Sequence, residues 1–353
     1  MKRVRIGVLG GAGEAAEGHI RGFQLDPRAE VVALWDINHE GAERRAATLG
    51  VPDVEPSAEA LLRRPDIDAV VICTPDHLHA EHSKAALLGG KHVLCEKPTA
   101  TSRADAAELV HLVRETGLVY LGGHVYHFAP SYREMVTAYR EGAIGKAWLA
   151  EGDYVSDLSL LYGPTGRTPW RSDPDHPQDI LLGGGCHPLG LMLWALQDEV
   201  VEVTAYSNHM VESALPIDDT YVLLLKFTEG TIGRITASVA SRGTIPDGGH
   251  IALRGTTGSL WGARLYRDDD RHGHAPPIVE VDFSGLNAAT PPRVADTLQV
   301  HYWAEQAEHF LDCVEGKTPP LTSVVDSARV VAALAAGIES ARTGRPVAVD
   351  NDF

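Results

Sequence analysis

Six residues of strand-forming sequence, Val4–Leu9, run without a break into Gly10-Gly11-Ala12-Gly13, and helix-forming residues follow at once. A β-branched apolar run ending in clustered glycines before a helix is the opening of a βαβ unit. The pattern then repeats to about residue 123. Strands are expected at Glu30–Asp36, Ala69–Cys73, His92–Cys95 and Val119–Gly122, and helices at Gly41–Leu49, His79–Leu88 and Arg103–Glu115. Strands that alternate with helices pair in parallel and are covered on both faces. Residues 1–123 are therefore expected to form a doubly wound α/β (Rossmann) domain.

A chain of 353 residues is too long for that domain alone. From residue 124 the texture changes. A helix near Ser131–Glu141 leads into longer, more polar strands at Trp148–Val155, Val200–Asn208, Thr220–Phe227, Thr231–Val239 and His250–Arg254. Thr228-Glu229-Gly230 joins two of these as an antiparallel hairpin. Helices are expected at His187–Leu196, Tyr302–Val314 and Val324–Arg342, the last stopped by Gly344 and Pro346. Residues 124–353 thus read as an α+β domain on one large, mainly antiparallel sheet. Asp268–Pro277 reads as a solvated loop without chemistry.

Charge narrows the partners. Against 31 Lys and Arg stand 48 Asp and Glu, a net charge of −17 with histidines neutral. Such a surface repels phosphate backbones and anionic headgroups, so neither nucleic acid nor membrane is expected as a partner. No apolar run reaches the roughly 18 residues that cross a bilayer. The N-terminal residues show no separate apolar segment before a small-residue cleavage site, so a cytoplasmic address is expected. Cys73, Cys95, Cys186 and Cys313 form no Cys-x-x-Cys pair, which argues against a disulfide framework or a zinc ribbon. His77, His79 and His82 read as a loop leading into a helix rather than as metal ligands, and no metal is expected.

Read from Gly11, the loop is G-x-G-x-x-A, with Gly11, Gly13 and Ala16 in the small positions. The first glycine suits a tight turn, the second a close approach to a pyrophosphate, and the third small residue helix–strand packing. Read from Gly10 instead, Ala12 falls where the second glycine belongs. Ala12, Glu14 and Ala15 complete the expected phosphate-binding segment at the helix N-terminus. Asp36, at the end of the second strand with Ile37 after it, is placed to accept the ribose hydroxyls. A carboxylate there favours NAD over NADP.

Two further motifs lie at strand ends, where open α/β sheets bind ligands: Thr74-Pro75-Asp76-His77-Leu78-His79 and Glu96-Lys97-Pro98. Proline restrains the residue before it to extended geometry, which gives Lys97 a defined direction.

With these motifs, with His19 eight residues past Gly11, with Gly185-Cys186-His187-Pro188 and with Ser340-Ala341-Arg342-Thr343-Gly344, the chain resembles the glucose–fructose oxidoreductase/inositol dehydrogenase/MocA (Gfo/Idh/MocA) family over essentially its whole length. The resemblance implies an NAD(P)-dependent oxidoreductase acting on sugars, cyclitols or their derivatives. It implies that Lys97 contacts the nicotinamide ribose and the substrate hydroxyl. Thr74, Pro75 and His79 would line the cofactor, and Glu96 would contact it or orient Lys97. It also implies a dimer or tetramer formed through the C-terminal sheet.

Gly183-Gly184-Gly185-Cys186-His187-Pro188 opens a helix, with proline suited to its first turn. A histidine at the positive helix end is held neutral and can accept a proton, the profile of a general base for alcohol oxidation. His187 also matches the family's catalytic histidine. The family commonly carries aspartates four residues before and three after it, where this chain has Gly183 and Gly190. Either His187 acts with Lys97 alone, or a carboxylate such as Asp179 substitutes, or turnover is impaired. Trp170, Arg171, Tyr126 and His127 are candidate substrate contacts. Two alternatives to a dehydrogenase stand beside it: an enzyme that uses retained NAD transiently to cleave or epimerise a glycoside, and a catalytically retired NAD-binding sensor or scaffold.

Overall fold

The structure, a computed structural model, describes residues 3–212, 214–243, 251–267, 279–282, 289, 292–294 and 301–353. The expected loop Asp268–Pro277 lies outside the described residues, as does His250. The chain packs as two compact units, Met1–Ala129 with Pro291–Ala328 and Phe353, and Pro130–Thr290 with Arg329–Asp352.

The first unit holds a six-stranded parallel sheet in the order β3-β2-β1-β4-β5-β6. Its strands are β1 (Val4–Leu9), β2 (Ala29–Trp35), β3 (Asp53–Val54), β4 (Ala69–Ile72), β5 (His92–Glu96) and β6 (Tyr120–Gly123). The connecting helices are α1 (Glu14–Gln24), α2 (His39–Leu49), α3 (Ala58–Leu62), α4 (His79–Leu88) and α5 (Arg103–Thr116). This is the doubly wound order, with its ligand crevice at the carboxyl ends of the strands. Central strands are apolar on both faces, so β4 reads AVVI and is buried throughout. Polar caps set where the helices begin: Asn38 Oδ1 accepts from the Gly41 N–H, and Ser102 Oγ accepts from the Asp105 N–H.

The expected second domain, 124–353, does not stay together. Helix α8 (Trp303–Val314) packs on α1 in the first unit. Phe310 meets Phe23 edge to face at 6.0 Å, and Ala307, Phe310 and Leu311 join the core that contains Ile20, Val31 and Leu94. Gly18 makes the approach possible, since a Cβ there would lie 2.3 Å from the Trp303 indole. An amphipathic helix covers whichever apolar surface is open to it, and sequence order does not name that surface.

In the second unit nine strands among the described residues run in the order β14-β13-β12-β11-β7-β10-β9-β8-β15. They are β7 (Ala147–Val155), β8 (Val200–Asn208), β9 (Thr220–Phe227), β10 (Ile232–Ser238), β11 (Ile251–Gly255), β12 (Gly258–Trp261), β13 (Arg264–Arg267), β14 (Val279–Asp282) and β15 (Val347–Ala348). The β9–β10 hairpin is antiparallel as expected, while β7 and β10 pair in parallel, which makes the sheet mixed. Strict alternation on β9 buries Tyr221, Leu223, Leu225 and Phe227 on one face. That face is covered by helical segments: a Cβ on Gly337 of α9 (Val324–Thr343) would lie 2.8 Å from Leu223 and 3.2 Å from Leu181. Helices α6 (Pro130–Arg140) and α7 (Cys186–Leu196) complete the unit.

Candidate active site

The glycine loop turns one residue earlier than the G-x-G-x-x-A spacing puts it. Gly10 takes φ +80°, and a Cβ there would lie 2.5 Å from the carbonyl of Cys73, so this position makes the tight turn. Gly10 and Gly11 both donate backbone hydrogen bonds to the Trp35 carbonyl, which locks the loop to the end of β2. Gly13 precedes α1 without a side-chain cap. The first amides of a helix have no partner within it, so this end of α1 suits a pyrophosphate.

Asp36 follows β2 directly. Its Oδ2 accepts from the Ala12 N–H at 3.0 Å and its Oδ1 from the Asn38 N–H at 2.8 Å. The carboxylate is thus held at the mouth of the loop, and each oxygen keeps a further lone pair for a ribose hydroxyl. Ile37, next in sequence, is 91% exposed, an apolar side chain left where an adenine ring could cover it. These residues fit a dinucleotide.

Thr74 and Pro75 form the turn after β4, and His79 opens α4. His79 is buried, with Nδ1 2.6 Å from the Pro98 carbonyl and Nε2 2.7 Å from the Thr74 carbonyl. Carbonyl oxygens only accept, so both ring nitrogens must carry protons and the ring is an imidazolium. Burial opposes that charge, but the Cys95 sulfur, the Asp76 carboxylate and the Pro98 carbonyl outweigh it and push the pKa up to about 10. The cation ties together the two strand-end turns that the sequence assigned to the cofactor. Thr74 Oγ1 also lies 3.1 Å from His82 Nδ1. No metal-binding group of His, Cys, Asp and Glu occurs among the described residues.

Glu96 ends β5. Burial would raise its pKa, but His19, Lys97 and His301 hold it down at about 2, so it is a carboxylate. Its Oε1 lies 2.7 Å from Nε2 of fully buried His19, and its Oε2 accepts from the Lys97 N–H at 3.3 Å. Glu96 therefore links α1 to the backbone of Lys97, and the Trp303 ring, centred 6.2 Å away, packs beside His19. The Lys97–Pro98 peptide is cis. Tyr126 and His127 occupy a short 3-10 turn after β6. His127 is buried, and Tyr126 stacks on His301 with centroids 6.5 Å apart.

In the second unit His187 is buried in the first turn of α7 and stacks on Tyr154, centroids 5.6 Å apart. The chain is already helical from Leu181, through a wide turn over Leu181–Gly185 that continues into α7. The positive end of this segment lies at Leu181, where Asp179 Oδ1 accepts the N–H at 2.8 Å, and not at His187. The dipole argument for a neutral His187 therefore falls away.

Asp179 also accepts from Tyr221 Oη at 3.0 Å, and burial pushes its pKa up to about 6. It caps the turn. The space beside Gly183 is filled by Gln178, a buried residue: a Cβ on Gly183 would lie 2.7 Å from Gln178 Cδ and 2.9 Å from Nε2. Arg171 Nη1 donates to Gln178 Oε1, and Arg171 Nε donates to Thr168 Oγ1 at 2.9 Å. The guanidinium also lies over the Trp170 ring at 4.7 Å, so Trp170, Arg171 and Gln178 form one cluster. Sequence reading missed Gln178, and a glutamine on an aperiodic loop five residues before a glycine carries no signal of this.

Comparison with known proteins agrees with this geometry. Residues 4–124 match the oxidoreductase family with an NAD-binding Rossmann fold, GFO_IDH_MocA, and residues 132–261 match the C-terminal domain of the same family. A 1,5-anhydro-D-fructose reductase of Ensifer adhaerens is 30% identical over 74% of this chain and 76% of its own length. The chain belongs to the Gfo/Idh/MocA oxidoreductases. A scyllo-inositol 2-dehydrogenase (NAD(+)) of Bacillus subtilis is 27% identical over 99% of this chain and 97% of its own. Among solved structures, an oxidoreductase domain protein from Kribbella flavida superposes with TM-score 0.84 at 25% identity, covering 99% of this chain and all (100%) of that one. A levoglucosan dehydrogenase solved with NADH and levoglucosan gives TM-score 0.85 at 22% identity over 99% and 100%, a likeness of fold. As a member of this family the chain is an oxidoreductase with a nicotinamide dinucleotide site in its first unit.

Proposed function

We propose that the protein is an NAD-dependent dehydrogenase, or the reverse reductase, for a secondary alcohol of a sugar, cyclitol or related polyol. The observation that carries the reading is Asp36, held by the Ala12 and Asn38 amides at the mouth of the glycine loop. A fixed carboxylate there accepts ribose hydroxyls and repels a 2′-phosphate. NAD, when bound, supplies the hydride acceptor. Lys97 polarises the substrate oxygen and stabilises developing alkoxide charge, and His187 takes the hydroxyl proton. Glu96 fixes the backbone of Lys97, and Tyr126, His127, Trp170 and Arg171 are the proposed polyol contacts.

The reading includes a cytoplasmic address and a homodimer or homotetramer. Support for association comes from the outer sheet face, where Tyr206 with its register partner Val222, Leu224, Ile232 and Trp261 are each 41% exposed or more. Exposed apolar side chains on an open sheet face suit an isologous contact.

The test is absorbance at 340 nm with NAD and a panel of inositols, aldoses and anhydro sugars, beside the Lys97→Ala variant. NADH formation with one polyol, lost in Lys97→Ala at unchanged NAD affinity, is the expected result. Substrate consumed without net NADH would replace the reading with transient redox chemistry. NAD binding without any turnover would replace it with a sensor.

A further inference from the structure

A cavity of about 360 Å³ opens between the glycine loop and α2, lined among others by Ala12, Glu17, Asn38, Gly41, Arg44 and Arg45. Ala12 and Asn38 are the two residues whose amides hold Asp36, so the cavity adjoins the carboxylate assigned to the ribose hydroxyls. Gly41 lets α2 come this close to the loop, since a Cβ there would lie 2.9 Å from the Ala12 Cβ. Two guanidinium groups on the wall would ordinarily make such a place attractive to phosphate. Here each is already matched. Arg45 Nη1 pairs with Glu17, and its Nη2 donates to the Ala12 carbonyl at 3.2 Å. Arg44 pairs with Glu40 at 3.5 Å across the exposed face of α2. Asp36 then adds a negative charge with no cation of its own among these contacts.

We propose that Glu17 is a specificity-determining residue for the cofactor: by holding Arg45 against the loop, it closes this cavity to a ribose 2′-phosphate and selects NAD(H) over NADP(H). The inference rests on the dinucleotide reading of the glycine loop and goes beyond it in naming the device. Asp36 alone repels the phosphate. Glu17 removes the cation that would otherwise offset that repulsion, because an arginine bound to one carboxylate has fewer donors left for a second anion. Glu17 sits in the first turn of α1, and its other oxygen, Oε1, accepts from Arg21 Nε at 2.9 Å, so the carboxylate is held on both sides.

The experiment measures NADH and NADPH affinities by nucleotide fluorescence in the full-length protein, in Glu17→Gln, in Arg45→Ala and in the double variant. Melting curves confirm that each is folded. The wild type is expected to prefer NADH. Glu17→Gln should tighten NADPH about tenfold relative to NADH, the scale of one near charge at a partly exposed site. The gain should vanish in Glu17→Gln/Arg45→Ala. An NADPH-to-NADH ratio within twofold of wild type in Glu17→Gln overturns the proposal. So does a gain that persists in the double variant, which would reduce the effect to loss of a negative charge. If Glu17→Gln does not fold, a wild-type preference for NADH that Arg45→Ala shifts toward NADPH overturns it, and a further shift toward NADH supports it. A wild type that binds neither dinucleotide is a different result: it removes the cofactor reading itself.

Discussion

Gln178 occupies the space that a side chain at Gly183 would need, with Cδ 2.7 Å and Nε2 2.9 Å from the position of a Cβ. Gln178 is buried and held by Arg171, so it has little room to retreat. Gly183→Ala is expected to cost about 1–3 kcal/mol through overpacking. Gly183→Asp, which restores the aspartate common in the family, should cost at least as much. Combining Gly183→Ala with Gln178→Ala should recover most of the loss, because neighbours that clash are not additive. Urea unfolding of the three variants measures this, and a double variant no more stable than Gly183→Ala would refute the clash.

His79, held between the Thr74 and Pro98 carbonyls, makes a pH-dependent contribution. Its folded pKa is raised to about 10 from an ordinary 6.5. A raised histidine stabilises the fold fully below about pH 6.5, and that contribution is lost as pH rises through about 10. His79→Leu removes the charge and leaves two buried carbonyls unsatisfied. The stability gap between wild type and His79→Leu should therefore be widest near pH 6 and narrow by about 4 kcal/mol toward pH 10. Denaturant midpoints across that range decide it, and a constant gap would mean a neutral ring.

What could be read from the chain follows the range of the interaction concerned. The β1–loop–α1 opening, the β9–β10 hairpin and the apolar C-terminal helix announce themselves through local periodicity and turn residues. Strand β3, two residues long, and helix α3, five residues long, are too short for any period to show. The parallel pairing of β7 with β10 joins residues some eighty positions apart, and each strand's own pattern leaves its partner open. Lys97, His79 and Glu96 stand out because they lie at ends of strands with recognisable motifs. Gln178 does not, since only folding carries it over Gly183. His187 looked like the first residue of a helix, and the turn before it proved helical because its three glycines tolerate a wide turn that bulkier residues would crowd.

The His19–Glu96 pair predicts acid sensitivity. Glu96 has a folded pKa of about 2 against an ordinary 4.5. A depressed carboxylate stabilises the fold above about pH 4.5, and the contribution is lost as pH falls through about 2, a change of about 3 kcal/mol. His19→Ala leaves that carboxylate buried without its nearest partner and should cost about 3–5 kcal/mol at pH 7. His19→Gln, which keeps a donor, should cost markedly less. Because Glu96 also receives the Lys97 N–H, His19→Ala should lower kcat more than it raises KM for the polyol. Equal stability of the two variants would reduce His19 to a space-filler.

Asp179 predicts the opposite slope. Its pKa is raised by burial to about 6 from 3.8, so the folded state binds the proton more tightly than the unfolded chain does. Stability contributed by the protonated form is present below about pH 4 and falls as pH rises to about 6, by about 3 kcal/mol. Above that the enzyme carries a buried carboxylate that Tyr221 and the Leu181 amide only partly compensate. Asp179→Asn removes the charge while its carbonyl can still accept the Leu181 N–H and its amide can donate to Tyr221. The variant is expected to melt at or above the wild-type temperature at pH 7.5 and below it at pH 4. Loss of stability at pH 7.5 would show that the ionised carboxylate is needed to cap the turn that leads into His187.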